Sequence, residues 1–388
     1  MQQSVARRSF SLVSMAVGLA LAISPGVARA AAAWQVLNTP NPGAVFNEFN
    51  GITAISSSNV FAVGSFSTNS EGTHGIPLIE QMNGSIWGVN TTPALPPRFC
   101  TETTSLNAVV STGRDVWAVG ACSFAGKKLI EHLGSNSTWQ ITSAPDAGCT
   151  FSSVLNGVAA ISSSDVWTVG FYQNCQRQNL PLTLHWNGTA WAAVSAPAPP
   201  GNGNPAIRAV AASGTNDVWM VGFVAPGNIP IIEHWNGSAW SLVPSPGTGI
   251  QLYGVTAISP TDAWAVGSNA ACTNCSSPII EHWDGKAWTI VSPPIVNSAN
   301  LTAVAAASST NVWAVGYSGN INNPQTLRTL TLHWDGTAWS VVPSPSPDTE
   351  AQLFGVSALP DGNVWAVGAS VSTTPTRMVK TLVLHLTL

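Results

Sequence analysis

Seven copies of one hexapeptide punctuate this chain. Its form is Asp/Asn-Val-Trp-Ala-Val-Gly, with single substitutions, and its last glycine falls at Gly64, Gly120, Gly170, Gly222, Gly267, Gly316 and Gly368. The copies are 45 to 56 residues apart. A period of that size marks one supersecondary unit repeated, because a single unit cannot bury its own apolar face and needs neighbours on both sides.

The unit resolves into four short strands. Strand A is a small-residue stretch such as Leu155-Asn156-Gly157-Val158-Ala159-Ala160, and strand B is the Val-Trp-Ala-Val-Gly segment. Strand C is of the type Ile231-Ile232-Glu233-His234-Trp235, and strand D starts at a later tryptophan such as Trp240 and runs into a Pro-containing link. β-Branched and aromatic residues dominate, and turn formers bound each stretch. Asn236-Gly237 and Asp284-Gly285 between C and D read as tight hairpin turns with positive φ at both central residues. All 17 tryptophans obey the period: six in strand B, four at the end of strand C and seven at the start of strand D. Aromatics so regular are structural first.

Four-stranded antiparallel units at this spacing predict an all-β, seven-bladed β-propeller. Small residues in strand A suit the crowded centre, and large rings suit the widening space between blades. The last repeat stops after strand C, at Thr381-Leu382-Val383-Leu384-His385, and lacks strand D. A matching stretch, Trp34-Gln35-Val36-Leu37-Asn38, opens the mature chain. The N-terminal strand should therefore complete the last blade and close the ring, which removes the open sheet edges.

An apolar strand ending in Gly, then aromatic-Asn/Asp-Gly, then Trp, then a Pro-containing link resembles the kelch repeat. The chain from residue 34 to 388 is similar to kelch-type propellers, including the central domain of galactose oxidase. It departs from them in carrying one glycine where they have two, and Trp where they carry Tyr. Copper chemistry of the galactose-oxidase kind would need tyrosine and histidine ligands. The chain has only Tyr172, Tyr253 and Tyr317, and one histidine outside the repeat frame, His74.

Residues 1–30 read as a signal peptide. Arg7 and Arg8 precede an uncharged apolar stretch, Ser9 to Ile23, and Ala28-Arg29-Ala30 offers a small-x-small cleavage pattern. The apolar stretch is shorter than the ~20 residues a membrane span needs. Residues 31–388 are then one exported propeller domain with no membrane span, expected to be a monomer. Charged residues make up 8% of the chain, with 13 Lys+Arg against 17 Asp+Glu. An acidic balance with so few cations excludes nucleic acid as a partner.

Six histidines share one repeat position: His132, His185, His234, His282, His333 and His385, with Gln81 in the first repeat. One per blade around a ring cannot converge on a metal, so no metal and no cofactor is expected. Because C runs antiparallel to B, each histidine should lie beside the residue that opens strand B. The expected structural pairs are Asp115–His132, Asp165–His185, Asp217–His234 and Asp262–His282. Asn311 and Asn363 serve the last two blades, and the first pairs Asn59 with Gln81. Glu80, Glu131, Glu233 and Glu281 precede the histidine position, which leaves Glu48, Glu71, Glu102, Asp146, Asp348 and Glu350 outside the frame. No spacing singles out a catalytic pair among these six.

Six cysteines in an exported chain predict disulfides. Cys100 lies in a D–A link and Cys122 just after strand B of the same repeat; Cys149 and Cys175 repeat that arrangement, favouring Cys100–Cys122 and Cys149–Cys175. Cys272 and Cys275 form a local C-x-x-C, for which a tight disulfide is the plain reading.

The function expected is therefore non-catalytic: a secreted scaffold that binds an extracellular protein or polysaccharide. The alternative is an extracellular propeller enzyme acting on carbohydrate, as hydrolase, lyase or oxidase. A–B and C–D turns are short and uniform, whereas D–A and B–C links vary in length and share the opposite face. Variable loops on a rigid scaffold carry recognition. Phe66, Arg98, Phe99 and Phe124, from the first two blades, are the candidate contacts on that face.

Overall fold

Strand B is apolar on both faces, so it has to lie inside a sheet covered on both sides. In the second repeat, Val116–Cys122 is buried along its whole length. The computed structural model describes residues 33 to 388, except 70, 73, 96–102, 114, 123–125, 200, 202, 273, 274, 374, 375 and 388. The expected signal peptide lies outside the described residues, as do Arg98, Phe99, Cys100 and Phe124.

Seven four-stranded sheets form one unit, Ala32–Leu388. Blade 4 is representative, with strand A at Asn204–Gly214, B at Asp217–Ala225, C at Ile229–Trp235 and D at Trp240–Leu242, all antiparallel. In blade 7 the order is Gln35–Leu37, Met378–Thr387, Asn363–Ser372, Glu350–Ala358. The N-terminal strand supplies the outer position, with Gln35 opposite His385, Val36 opposite Leu384 and Leu37 opposite Val383. The ring is closed as the missing strand D requires.

The core lies between blades. One cluster joins Trp117, Val119 and Ile130 of blade 2 to Leu155, Val158, Leu182 and Trp191 of blade 3. Five of the strand-B tryptophans, Trp117, Trp167, Trp219, Trp264 and Trp313, meet the strand-D tryptophan that packs on them from the next blade edge to face. Ring centroids are 5.3 Å apart for Trp117–Trp191, 5.2 Å for Trp219–Trp288 and 5.5 Å for Trp313–Trp34. Edge-to-face pairs add about 0.5–1.5 kcal/mol to area burial.

The C–D connection differs from a two-residue turn. Trp235 pairs with Trp240, leaving four residues between them, and Gly237 has φ +93° while Asn236 is not in the left-handed region. Asn236 Oδ1 accepts the backbone N–H groups of Ser238 and Ala239, 2.9 and 3.0 Å away. The asparagine is there for its side-chain oxygen, as in an Asx turn. Aspartate serves equally: Asp284 Oδ1 accepts from Lys286 and Ala287 at 2.8 and 2.9 Å. The same bonds, led by that from Thr337 Oγ1, pull Asp335 down to about 2.

Cys149 and Cys175 form a disulfide, with their Cα atoms 5.7 Å apart. Cys122 is also disulfide-bonded. The backbones of Cys272 and Cys275 stand opposite one another across the B–C hairpin of blade 5.

Candidate functional site: the axial channel and the loop face

Strand A carries a β-bulge in every blade, always between the Leu/Ile/Phe and the Gly/Ala that follow one residue later. A bulge inserts one unpaired residue and bends its strand. The bend presses the strand-A backbone onto the glycine that ends Val-Trp-Ala-Val-Gly. A Cβ on Gly170 would lie 1.9 Å from the carbonyl oxygen of Val154, and one on Gly267 1.9 Å from that of Gln251. The repeat's glycine and its bulge are one device. The residue after the bulge is Gly or Ala because strands A converge: a Cβ on Gly157 would come within 3.0 Å of Ala209 Cα in the next blade.

The bulged residues are Asn50, Asn107, Asn156, Arg208, Tyr253, Thr302 and Phe354, and together they line the axial channel, a cavity of about 180 Å³. Four of them fasten the ring. Asn50 Nδ2 donates to Leu106 O at 2.9 Å, Asn107 Nδ2 to Leu155 O at 2.8 Å and Asn156 Nδ2 to Ile207 O at 2.7 Å. Thr302 Oγ1 donates to Leu353 O at 2.8 Å. Arg208, Tyr253 and Phe354 break this series. The Arg208 guanidinium lies over the rings of Phe223 and Tyr253, 5.4 and 6.0 Å from their centroids, and those rings meet edge to face at 5.8 Å. The Tyr253 hydroxyl donates to Gln251 Oε1, whose amide donates to Asn228 Oδ1 at 2.8 Å. Burial pushes the Arg208 guanidinium down and the Tyr253 phenol up from their ordinary values.

The histidines stand on the opposite, short-turn face. His185, His234 and His282 lie 2.8, 2.7 and 2.9 Å from Asp165, Asp217 and Asp262. His333 and His385 meet Asn311 and Asn363 at 2.9 and 2.8 Å, and Gln81 donates to Asn59 at 2.9 Å. In blade 2 the separation is 3.4 Å, too long for good hydrogen bonding, and burial lowers the His132 pKa. Each ring also lies against its own strand-B tryptophan, as with Trp167 and His185 at 4.3 Å. These are framework groups, spaced around the rim.

Four carboxyls are wholly enclosed. Glu80, Glu131, Glu233 and Glu281 have 0% exposure. Burial pushes the first three up to about 8 and Glu281 to about 7. Glu281 accepts from Ser245 Oγ at 2.8 Å, while Glu80, Glu131 and Glu233 have no partner among the described residues. Blades 3, 6 and 7 carry Leu184, Leu332 and Leu384 at this position.

Of the acids outside the frame, Glu102 lies outside the described residues. Glu48 sits in strand A of blade 1, Phe46–Ser56, rather than in a link, and burial raises it to about 7. Asp146 pairs with Lys128, on a groove of about 420 Å³ between blades 2 and 3 that also includes Phe151. Asp348 accepts from Ser370 Oγ at 2.7 Å, and Glu350 lies 4.0 Å from Arg377. Among the described residues, no three His, Cys, Asp or Glu gather as metal ligands, and no helix is long and apolar enough to cross a membrane. Phe66 lies inside strand B of blade 1, Asn59–Ser67, half-buried against the core between blades 7 and 1. Sequence reasoning missed the channel ring. Its signal was the one residue that varies freely between an apolar residue (Leu, Ile or Phe) and a Gly or Ala in each strand A.

No known family matches the chain, and no curated protein does. Solved structures do resemble it in fold. YCF48 bound to a D1 peptide aligns over 92% of this chain and 95% of its own, at 15% identity and a TM-score of 0.57. A GH74 xyloglucanase from Xanthomonas campestris aligns over 90% of this chain and 55% of its own, at 10% identity and a TM-score of 0.56. An ulvan lyase bound to a GlcA(1-4)Rha3S unit aligns over 89% and 95%, at 10% identity and 0.51. The likeness is that of the propeller fold.

Proposed function

We propose that the chain is an exported, monomeric, non-catalytic propeller that binds an extracellular protein or polysaccharide around the mouth of its axial channel and the adjoining loop face. One observation carries this reading. Seven rigid bulges present a changing set of side chains at one height, inside a frame that otherwise repeats. A preorganised ring of that kind suits recognition, because little conformational entropy is lost on binding. YCF48 with a bound peptide and ulvan lyase with a bound glycan illustrate propellers serving both partner classes. The blades read as a kelch-type variation in which one close strand A–strand B approach replaces the usual glycine pair. Phe66, Arg98, Phe99 and Phe124 extend the proposed surface from blades 1 and 2. The export reading rests on the leader pattern and the disulfide.

The competing reading, glycan cleavage, draws on Glu48. A carboxyl held near 7 has the proton affinity of a general acid. Glycan and peptide arrays run beside a hydrolase and lyase panel separate the two. Binding without turnover is expected. Release of new reducing ends or unsaturated products, abolished by Glu48→Gln, would establish the enzyme instead.

A further inference from the structure

Arg208 departs from its ring in a way the fold does not require. An asparagine at this place would fasten blade 4 to blade 5, as Asn156 fastens blade 3 to blade 4. In its stead an arginine lines the channel wall, its guanidinium partly covered by the rings of Phe223 and Tyr253. No ion pair from a described residue reaches it. Its cation–π contacts with Phe223 and Tyr253 consume none of its five N–H donors. The channel wall thus holds a guanidinium with its N–H donors to spare, the group that grips a carboxylate through two parallel hydrogen bonds.

The rest of the cavity narrows the ligand. At about 180 Å³ it is smaller than a pocket for a drug-sized molecule, which starts near ~300 Å³, so it admits a single end group. Asn50 and Asn107 spend their Nδ2 donors on the next blade, which leaves their Oδ1 atoms as acceptors for hydroxyls. Tyr253 and Phe354 add ring surface to the same wall. A pyranose with several hydroxyls and one carboxylate matches all three features. We infer that the axial channel binds the uronic-acid end group of an acidic glycan, with Arg208 holding its carboxylate. This deepens the binding reading above and rests on it.

The test uses the full chain, expressed with its leader, purified and titrated by calorimetry and ligand-observed NMR. The probes are D-glucuronate, D-glucose and acetyl-dialanine. Glucuronate should saturate, glucose should bind at least tenfold more weakly, and added salt should weaken glucuronate. Arg208→Gln should cost at least tenfold, and Arg208→Lys less, with the melting temperature of both variants unchanged. Equal binding of glucose, or full affinity in Arg208→Gln, overturns the inference. Tighter binding of acetyl-dialanine overturns it in favour of a peptide carboxylate. If glucuronate never saturates while the arrays show another ligand, the inference falls and the binding reading stands. If the arrays show no ligand at all, the binding reading falls as well.

Discussion

Gly170 lies directly beneath the carbonyl of Val154, so close that a Cβ would stand 1.9 Å from the oxygen. The same approach recurs at Gly64, Gly120, Gly267 and Gly316, each at 1.9 Å from its own strand-A carbonyl. Backbone conformation does not demand glycine here, since none of these residues has positive φ. The requirement is steric. Gly170→Ala has to shift strand A, and overpacking of this kind costs about 1–3 kcal/mol. Chemical denaturation should show that loss, while Gly88→Ala, whose Cβ meets nothing within 4 Å, should stay within about 0.5 kcal/mol of the parent.

Closure of the ring rests on Trp34. It is 6% exposed, meets Trp313 of blade 6 edge to face at 5.5 Å, and shares a core with Leu382, Leu384 and Leu386 of the C-terminal strand. Trp34→Ala should cost about 3–5 kcal/mol, the usual range for emptying a buried aromatic site. A thermal melt checks it. A variant that melts with the parent would mean that the ring stays shut without this side chain.

The buried glutamates give a pH dependence of opposite sign to that of ordinary surface carboxylates. Glu233 is raised by burial from 4.5 to about 8. The folded chain keeps this proton where the unfolded chain has released it. Stability therefore falls as pH rises from about 4.5 to about 8, by up to about 1.4 kcal/mol for each unit. Leucine occupies the same position in blades 3, 6 and 7, at Leu184, Leu332 and Leu384, so the frame accepts it. Glu233→Leu should stabilise the protein, more at pH 8 than at pH 5. Denaturation midpoints at the two values test this, and an equal gain at both would refute the buried, protonated state.

The propeller was legible because its signals are redundant. Val-Trp-Ala-Val-Gly, the Asn/Asp-Gly pair and the tryptophan positions all repeat with one period, and the absent strand D after His385 has its counterpart at Trp34. The channel was not legible, for a physical reason. Leu155-Asn156-Gly157-Val158 reads as plain alternation, and only the bulge between Leu155 and Gly157 turns Asn156 toward the axis. A one-residue insertion reverses the faces of a strand and leaves no mark of its own in the sequence. The enclosure of Glu233 was hidden for a related reason. Ile231, Ile232 and Glu233 are all buried, because a blade is covered on both sides and polar alternation loses its meaning there.

The short-turn face offers the last prediction. Asp217 Oδ1 lies 2.7 Å from His234 Nε2, and Ser213 Oγ donates to its other oxygen. Burial raises the Asp217 pKa, but the bonds from His234 and Ser213 outweigh it and hold the carboxyl below its ordinary value of 3.8. The stability this group contributes is therefore present above pH ~4 and lost as pH falls through its folded value. Blades 6 and 7 make the same contact with Asn311 and Asn363, so the histidine Nε2–H needs an acceptor oxygen rather than a charge. Asp217→Asn should keep the contact, lie within about 1 kcal/mol of the parent at pH 7, and lose the acid-side dependence of this site. Asp217→Ala leaves both donors unsatisfied and should cost about 1–3 kcal/mol. Urea midpoints at pH 7 and pH 3.5 separate the cases; equal losses for Asn and Ala at pH 7 would mean that the charge, and not the acceptor, holds His234 in place.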